Sequence, residues 1–214
     1  MIIRATSLLV SLIVASAPAA AQYVIPLTTG DGRVGCTQGM TGIGRPQLWE
    51  AVRDETAPGG WALSEVAGDS TDLHFPFCID TQMAARDFDA TMRFKIVSGI
   101  REQAAGLMFR ARDATDYYVA RASALDGTVK LYRMLGGRRS QLASAPMPVK
   151  AGNWSEMRVV ATKGKIEVSL DGKLALSFTD RSSPQAGTIG VWTQSDSKVL
   201  FSSLLVSAAT TRPY

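Results

Sequence analysis

The chain has 214 residues, 46% of them hydrophobic, with 23 Lys and Arg against 19 Asp and Glu and a formal net charge of +4. That length and apolar content suffice for one domain with a full core. The cationic excess is small and scattered, without the basic stripe and motif that a nucleic-acid partner calls for. One histidine and two cysteines exclude a multi-histidine transition-metal site.

The first element is a targeting segment. Arg4 precedes an apolar run from Ser7 to Ala17, followed by Pro18 and the small residues Ala19, Ala20 and Ala21. This is the order of a secretory signal peptide. The run is shorter than the roughly 20 residues that a membrane span needs. Residues 1–21 are therefore expected to be removed, leaving an exported chain, periplasmic or secreted, with no transmembrane segment. Residues 22–46 are rich in Gly and Thr without a sustained period and read as an irregular N-terminal arm. An oxidising compartment permits a disulfide between Cys36 and Cys78. Closing that loop would contribute about 4 kcal/mol in the chain-entropy model. The alternative is that Cys78, in HFPFCID, is a small buried apolar residue of a strand.

From residue 47 to 208 the pattern is one of short alternating runs, with residues 209–214 left as a tail. In DFDATMRFKIVS, Phe88, Ala90, Met92, Phe94 and Ile96 share one face, and Asp87, Asp89, Thr91, Arg93 and Lys95 share the other. A period of two held that long means a strand with one face in the core. AAGLMFRARD and YYVARASAL come next. Asp126-Gly127, Gly136-Gly137, Lys163-Gly164 and Asp171-Gly172 then punctuate TVKLYRML, RRSQLAS, WSEMRVVAT, KIEVSL and KLALSFTD. Asp-Gly and Gly-Gly between alternating runs signal tight hairpins, because type I′ turns need positive φ at both central residues. GTIGVWTQ and KVLFSSLLVSA close the domain. About a dozen strands and no convincing helix predict an all-β, antiparallel two-sheet sandwich, with a barrel as the other architecture.

Residues 87–206 carry a further pattern: a strand ending RFK, then QAAGLMFRARD, DYYVARA, LYR, NWxxMRVVA, a hairpin around Asp-Gly, and AGTIGVWTQSDS before a final F-x-x-L. This resembles the bacterial secreted concanavalin A-like (laminin-G-like) jelly rolls, in particular the domain family named for 3-keto-disaccharide hydrolases. The resemblance implies two face-to-face antiparallel sheets, one of them concave. It also implies a use of the concave face or its rim loops for carbohydrate, and for some relatives a rim calcium. Fold alone supplies no activity.

The residues constrain the chemistry. The E-x-D-x-x-E strand of retaining glycosidases on this fold is absent, and such enzymes need two carboxylates about 5 Å apart. Asp87 and Asp89 form the nearest pair, at the start of an amphipathic strand. A Ser-His-Asp arrangement would have to use His74, and no G-x-S-x-G elbow accompanies it. Calcium, as a possible cofactor, would need several oxygen ligands, for which Asp69 with Asp72 and Asp113 with Asp116 are the candidate loops. Asp and Thr in such loops also serve ordinary turns.

For a sugar, an aromatic plane beside Arg, Gln or Asp is the expected arrangement. In GTIGVWTQ, Ile189 and Val191 point to the core and send Trp192 and Gln194 to the opposite face. In AGLMFRARD, strict alternation sends Leu107, Phe109 and Ala111 one way and Met108, Arg110 and Arg112 the other. A shared face holding Arg110, Trp192 and Gln194 is thus expected, joined by Tyr118 and Tyr132, or by Tyr117, Arg121 and Arg133 in the other register. Both registers of YYVARASAL remain open, since a one-residue slip exchanges its faces. The same residues on a sheet surface also serve cross-strand pairing and cation–π contact. The expected role is exported, non-catalytic carbohydrate binding. A glycoside-processing hydrolase and an envelope protein–protein module are the alternatives.

Overall fold

The computed structural model describes residues 21–182 and 184–208. All but the last residue of the expected signal segment, and the tail 209–214, lie outside the described residues. Fifteen strands form among those described. They begin with β1 (Gln22–Ile25), β2 (Thr37–Gly42), β3 (Trp49–Arg53), β4 (Trp61–Glu65) and β5 (His74–Ala85). The middle of the chain supplies β6 (Phe88–Ser98), β7 (Ala104–Asp113), β8 (Asp116–Ser123), β9 (Thr128–Leu135) and β10 (Arg138–Pro146). β11 (Trp154–Thr162), β12 (Lys165–Leu170), β13 (Lys173–Thr179), β14 (Gly187–Thr193) and β15 (Lys198–Ser207) complete it. The only helical element among these residues is a 3-10 turn at Pro58–Gly60, and no described helix is long and apolar enough to cross a membrane.

The strands make two antiparallel sheets. One runs β13-β12-β11-β6-β15-β4-β3, with β1 also paired to β15, and the other runs β10-β9-β8-β7-β14-β5-β2. The alternation of β6 works as its sequence requires: Phe88, Ala90, Met92, Phe94 and Ile96 are all buried between the sheets. Opposite them lie Leu107, Phe109, Leu131, Ile189 and Val191 from the seven-stranded sheet. Phe88 meets Phe109 edge-on at 5.3 Å between ring centroids. Burying each large side chain of this kind contributes about 2 kcal/mol.

The N-terminal arm departs from expectation. Residues 22–46 contain β1, paired with β15, and β2, paired with β5, so the segment is incorporated in both sheets. Gly and Thr hide this from a search for hydrophobic periodicity, because edge strands that bury little of one face carry little period. Cys36, just before β2, is bonded to Cys78 of β5, with Cα atoms 5.5 Å apart. The bridge therefore staples the edge strand to its neighbour.

Candidate functional site

The outer face of the seven-stranded sheet is where an exposed aromatic surface was expected. It is filled instead. β8 sets its register so that Tyr118, Ala120 and Ala122 enter the core between the sheets, while Tyr117 and Val119 join a second, outer apolar cluster. That cluster gathers Phe75, Phe77, Met108, Tyr132, Met134 and Trp192. Trp192 is fully buried, stacked on Phe75 at 5.5 Å. Its ring lies against Gly106, where an added Cβ would come within 2.8 Å of it.

Arg139, from the edge strand β10, lies 4.6 Å from the ring of Phe75 and 4.8 Å from that of Tyr132. Those two rings stand on β5 and β9, four strands apart, a span of about 19 Å in a flat sheet. One guanidinium touches both because the sheet curls, and its hollow closes on its own side chains. Gln194 accepts a hydrogen bond from Arg139 at 2.8 Å. Arg121 is likewise enclosed, donating to Glu102 at 2.6 Å and to Asp126 at 3.0 Å. Burial opposes the ionisation of Asp126, but hydrogen bonds from Thr128, Lys130 and Arg121 hold its carboxyl well below the usual range.

Arg110 and Tyr118 do not join Trp192, Gln194, Arg121 and Tyr132. The cause is a bulge. Arg110 adopts φ 49°, in the left-handed region, and the register slips between Phe109 and Asp113 against β8 and between Thr188 and Gly190 against β14. The neighbouring strand presses so close that a Cβ on Gly187 would come within 2.4 Å of the Arg110 carbonyl carbon. Beyond the bulge the alternation of β7 inverts. Ala111 therefore joins the outer cluster, and Arg110 turns to the opposite side, toward Tyr118.

There the edge strand β10 and its neighbour β9 face β13 across the sandwich, and a cavity of about 440 Å³ opens between them. Its apolar wall includes Leu142 and Phe178, and its polar wall includes Arg112, Arg133, Asp180 and Ser182. Tyr118 stacks on Phe109 at 5.5 Å and sends its hydroxyl into this basin. The hydroxyl donates to Asp180 and accepts from Arg133, whose guanidinium lies 4.3 Å from the Tyr118 ring. Asp116, buried in the β7–β8 hairpin, accepts from Arg133 at 2.7 Å and from Arg112 Nε at 2.7 Å. Burial and the bond to Asp180 push the Tyr118 phenol up. Burial opposes ionisation of Asp180, yet hydrogen bonds from Ser182 and Tyr118 hold its carboxyl below the ordinary value. The basin thus offers a fixed carboxylate and guanidinium groups to hydroxyls, and an apolar wall to a ring face.

The remaining candidates are engaged elsewhere. Asp69 accepts from the backbone amides of Arg45 and Thr71, and Asp72 pairs with Arg101 at 2.5 Å. Asp113 caps Thr115, and Asp116 serves the two arginines above. Among the described residues no group of three or more His, Cys, Asp or Glu side chains converges as a metal-ligand set. His74 is buried against the Arg45 carbonyl, with 3.0 Å between Nε2 and the oxygen. Asp89 is paired with Arg158 on the outer face of the other sheet. Asp180, Ser182 and Phe178, central to the basin, carried no signal in the sequence. They stand at the end of one hairpin and the start of a turn-like segment, and only the meeting of two sheets gives them meaning.

The sequence profile of the 3-keto-alpha-glucoside-1,2-lyase-like domain matches residues 48–206, the family whose pattern the strands resemble. No curated protein matches the sequence significantly. Among solved structures, a carbohydrate-binding module from Bacillus subtilis is 21% identical with a TM-score of 0.62, covering 79% of this chain and 96% of its own. A protein of unknown function with a galectin-like fold, also from Bacillus subtilis, is 16% identical with a TM-score of 0.64, covering 89% and 96%. Domain 4 of an extracellular arabinanase from Geobacillus stearothermophilus, in complex with arabinotriose, is 13% identical with a TM-score of 0.55, covering 91% and 94%. At these identities the likeness is one of fold: a concanavalin A-like jelly roll.

Proposed function

The chain belongs to the family of 3-keto-alpha-glucoside-1,2-lyase-like domains, and within it we propose a carbohydrate-binding β-sandwich whose ligand sits between Tyr118, Arg133, Asp180 and Phe178. One observation carries the reading: the fold's outer sheet face is packed shut, while the end basin is open and lined by an apolar wall facing fixed hydrogen-bonding groups. A sugar ring has the same two characters, apolar on its face and polar on its edge. A solved carbohydrate-binding module and an arabinanase domain in complex with arabinotriose, both of this fold, support the same class of ligand.

The role we infer is binding without catalysis. A general acid or base works best with a pKa near the operating pH. The Tyr118 phenol is displaced upward and the Asp180 carboxyl downward, both away from neutrality. The bridge between Cys36 and Cys78 supports an exported, oxidising setting. Affinity electrophoresis of the purified chain in polysaccharide gels tests the proposal. At least one polysaccharide is expected to retard the wild type, and Asp180→Asn and Arg133→Gln are expected to lose that retardation while their circular dichroism stays native. A wild type that migrates freely in every gel would remove the carbohydrate reading, and retardation unchanged in both variants would move the site elsewhere.

A further inference from the structure

A second cavity, of about 250 Å³, adjoins the basin and shares Asp180 and Pro184 with it. Its other walls are Arg86, Arg110, Lys163 and Gly164. Arg110 is the unusual member. Its side chain is 1% exposed, and Nε donates to the Arg86 carbonyl at 2.9 Å. Neither Nη nitrogen has a hydrogen-bond partner among the described residues. The nearest carboxylate oxygen, on Asp87, stands 4.0 Å from one of them, beyond hydrogen-bond reach. A buried guanidinium left in this state is costly, and buried polar groups are almost always satisfied. The cost is compounded by backbone: Arg110 occupies a left-handed conformation that residues with a Cβ seldom adopt. Strain and an unsatisfied charge at one residue, on the wall of a cavity, are the mark of a group held for a partner.

We propose that the Arg110 end of this groove is a carboxylate subsite, and that the saccharide it selects is a uronate. The proposal rests on the carbohydrate reading of the adjoining basin. A planar guanidinium with both Nη groups free presents a fork that a planar carboxylate fits with two parallel hydrogen bonds. A hydroxyl is neutral and offers the fork a single oxygen, so it makes the weaker partner. Arg86 and Lys163 stand exposed at the rim, where they attract an anion toward the buried site. Along the whole groove Arg86, Arg110, Arg112, Arg133 and Lys163 face Asp87, Asp116 and Asp180, an excess of positive charge. A uronic acid carries its carboxylate on the ring carbon next to the ring oxygen. With its ring against Phe178 and Leu142, that group is available to the neighbouring cavity.

The test compares a glucuronate-containing oligosaccharide with its carboxyl-reduced, neutral counterpart, titrated into the full chain at low salt, with the Arg110 side-chain nitrogens followed by NMR. The acidic sugar is expected to bind about tenfold more tightly, with the Arg110 Nη signals shifting. Arg110→Met should abolish that preference, bringing the affinity for the acidic sugar down to that for its neutral counterpart. Lys163→Gln, at an exposed turn, should reduce the preference without touching the core, which keeps the test decisive if Arg110→Met does not fold. Equal affinity for the two sugars in the wild type would overturn the carboxylate subsite while leaving the sugar basin standing. Binding of neither would overturn the uronate assignment, while the fate of the basin rests on the polysaccharide gels. Acetate shifting the Arg110 signals as strongly as the uronate would show a carboxylate site with no preference for a sugar, and so overturn the uronate assignment.

Discussion

Trp192 and Tyr118 are aromatic residues of two strands in the same sheet, and they illustrate two ways of using an aromatic. Trp192 lies on the outer face, over Gly106, stacked on Phe75 and enclosed by a cluster that a curled sheet closes on itself. Tyr118 lies on the inner face, stacked on Phe109, and its hydroxyl emerges at the sandwich edge between Asp180 and Arg133. The first region spends most of its polar groups on one another, Arg121 on Glu102 and Asp126 and Arg139 on Gln194, with Arg121 Nε and Trp192 Nε1 left without a hydrogen-bond partner among the described residues. The second retains groups that other side chains do not exhaust, above all the two Nη nitrogens of Arg110. A packed surface stabilises, whereas a ligand gains only from hydrogen bonds that the protein has not already made.

The contrast can be broken by measurement. Trp192→Ala should be the most damaging change, costing about 3–5 kcal/mol through the cavity it opens, read as a lowered midpoint in guanidinium unfolding. A loss under about 1 kcal/mol would mean that the outer face is an open surface after all, in the range of an ordinary exposed substitution. Gly106→Ala probes the same packing from below and should cost about 1–3 kcal/mol, since the new methyl meets the indole and Val119. An unchanged melting temperature would contradict the close seating of the ring against Gly106.

The smallest effect belongs to the basin. Asp180 has a folded-state pKa below its unfolded value, so its contribution to stability is complete above about pH 4 and is lost as pH falls below that. Asp180→Asn should therefore lower stability at neutral pH by that contribution, less than either core substitution does, and flatten the acid limb of the stability profile below pH 4. An acid limb of the same steepness in variant and wild type would show that Asp180 is not held by Tyr118 and Ser182 as the structure has it.

Much of the fold was legible in local pattern. The alternation from Phe88 to Ile96 specified which face of β6 is buried, because a strand's side chains alternate whatever surrounds it. The glycine turns at Lys163-Gly164 and Asp171-Gly172 specified hairpins, because positive φ is a local demand, whereas Asp126-Gly127 closes a four-residue loop in which the glycine alone has positive φ. The direction of Ile189 and Val191, with Trp192 sent to the other side, followed from the same alternation. The N-terminal strands were not legible, since β1 and β2 are held by partners distant in sequence and little by their own pattern.

Three features were decided only in three dimensions. The side taken by YYVARASAL depended on which face β7 and β9 left for it, since both of its faces can be buried. The position of Arg110 depended on a single bulged residue, which inverts alternation and leaves no mark in composition. The basin itself needed β9 and β10 of one sheet to meet β13 of the other, bringing Tyr118 and Arg133 to Asp180 from 62 and 47 residues away along the chain. Periodicity reports which face of a strand is apolar, because burial acts on each residue where it stands. It cannot report what that face meets, because the meeting is a property of two sheets.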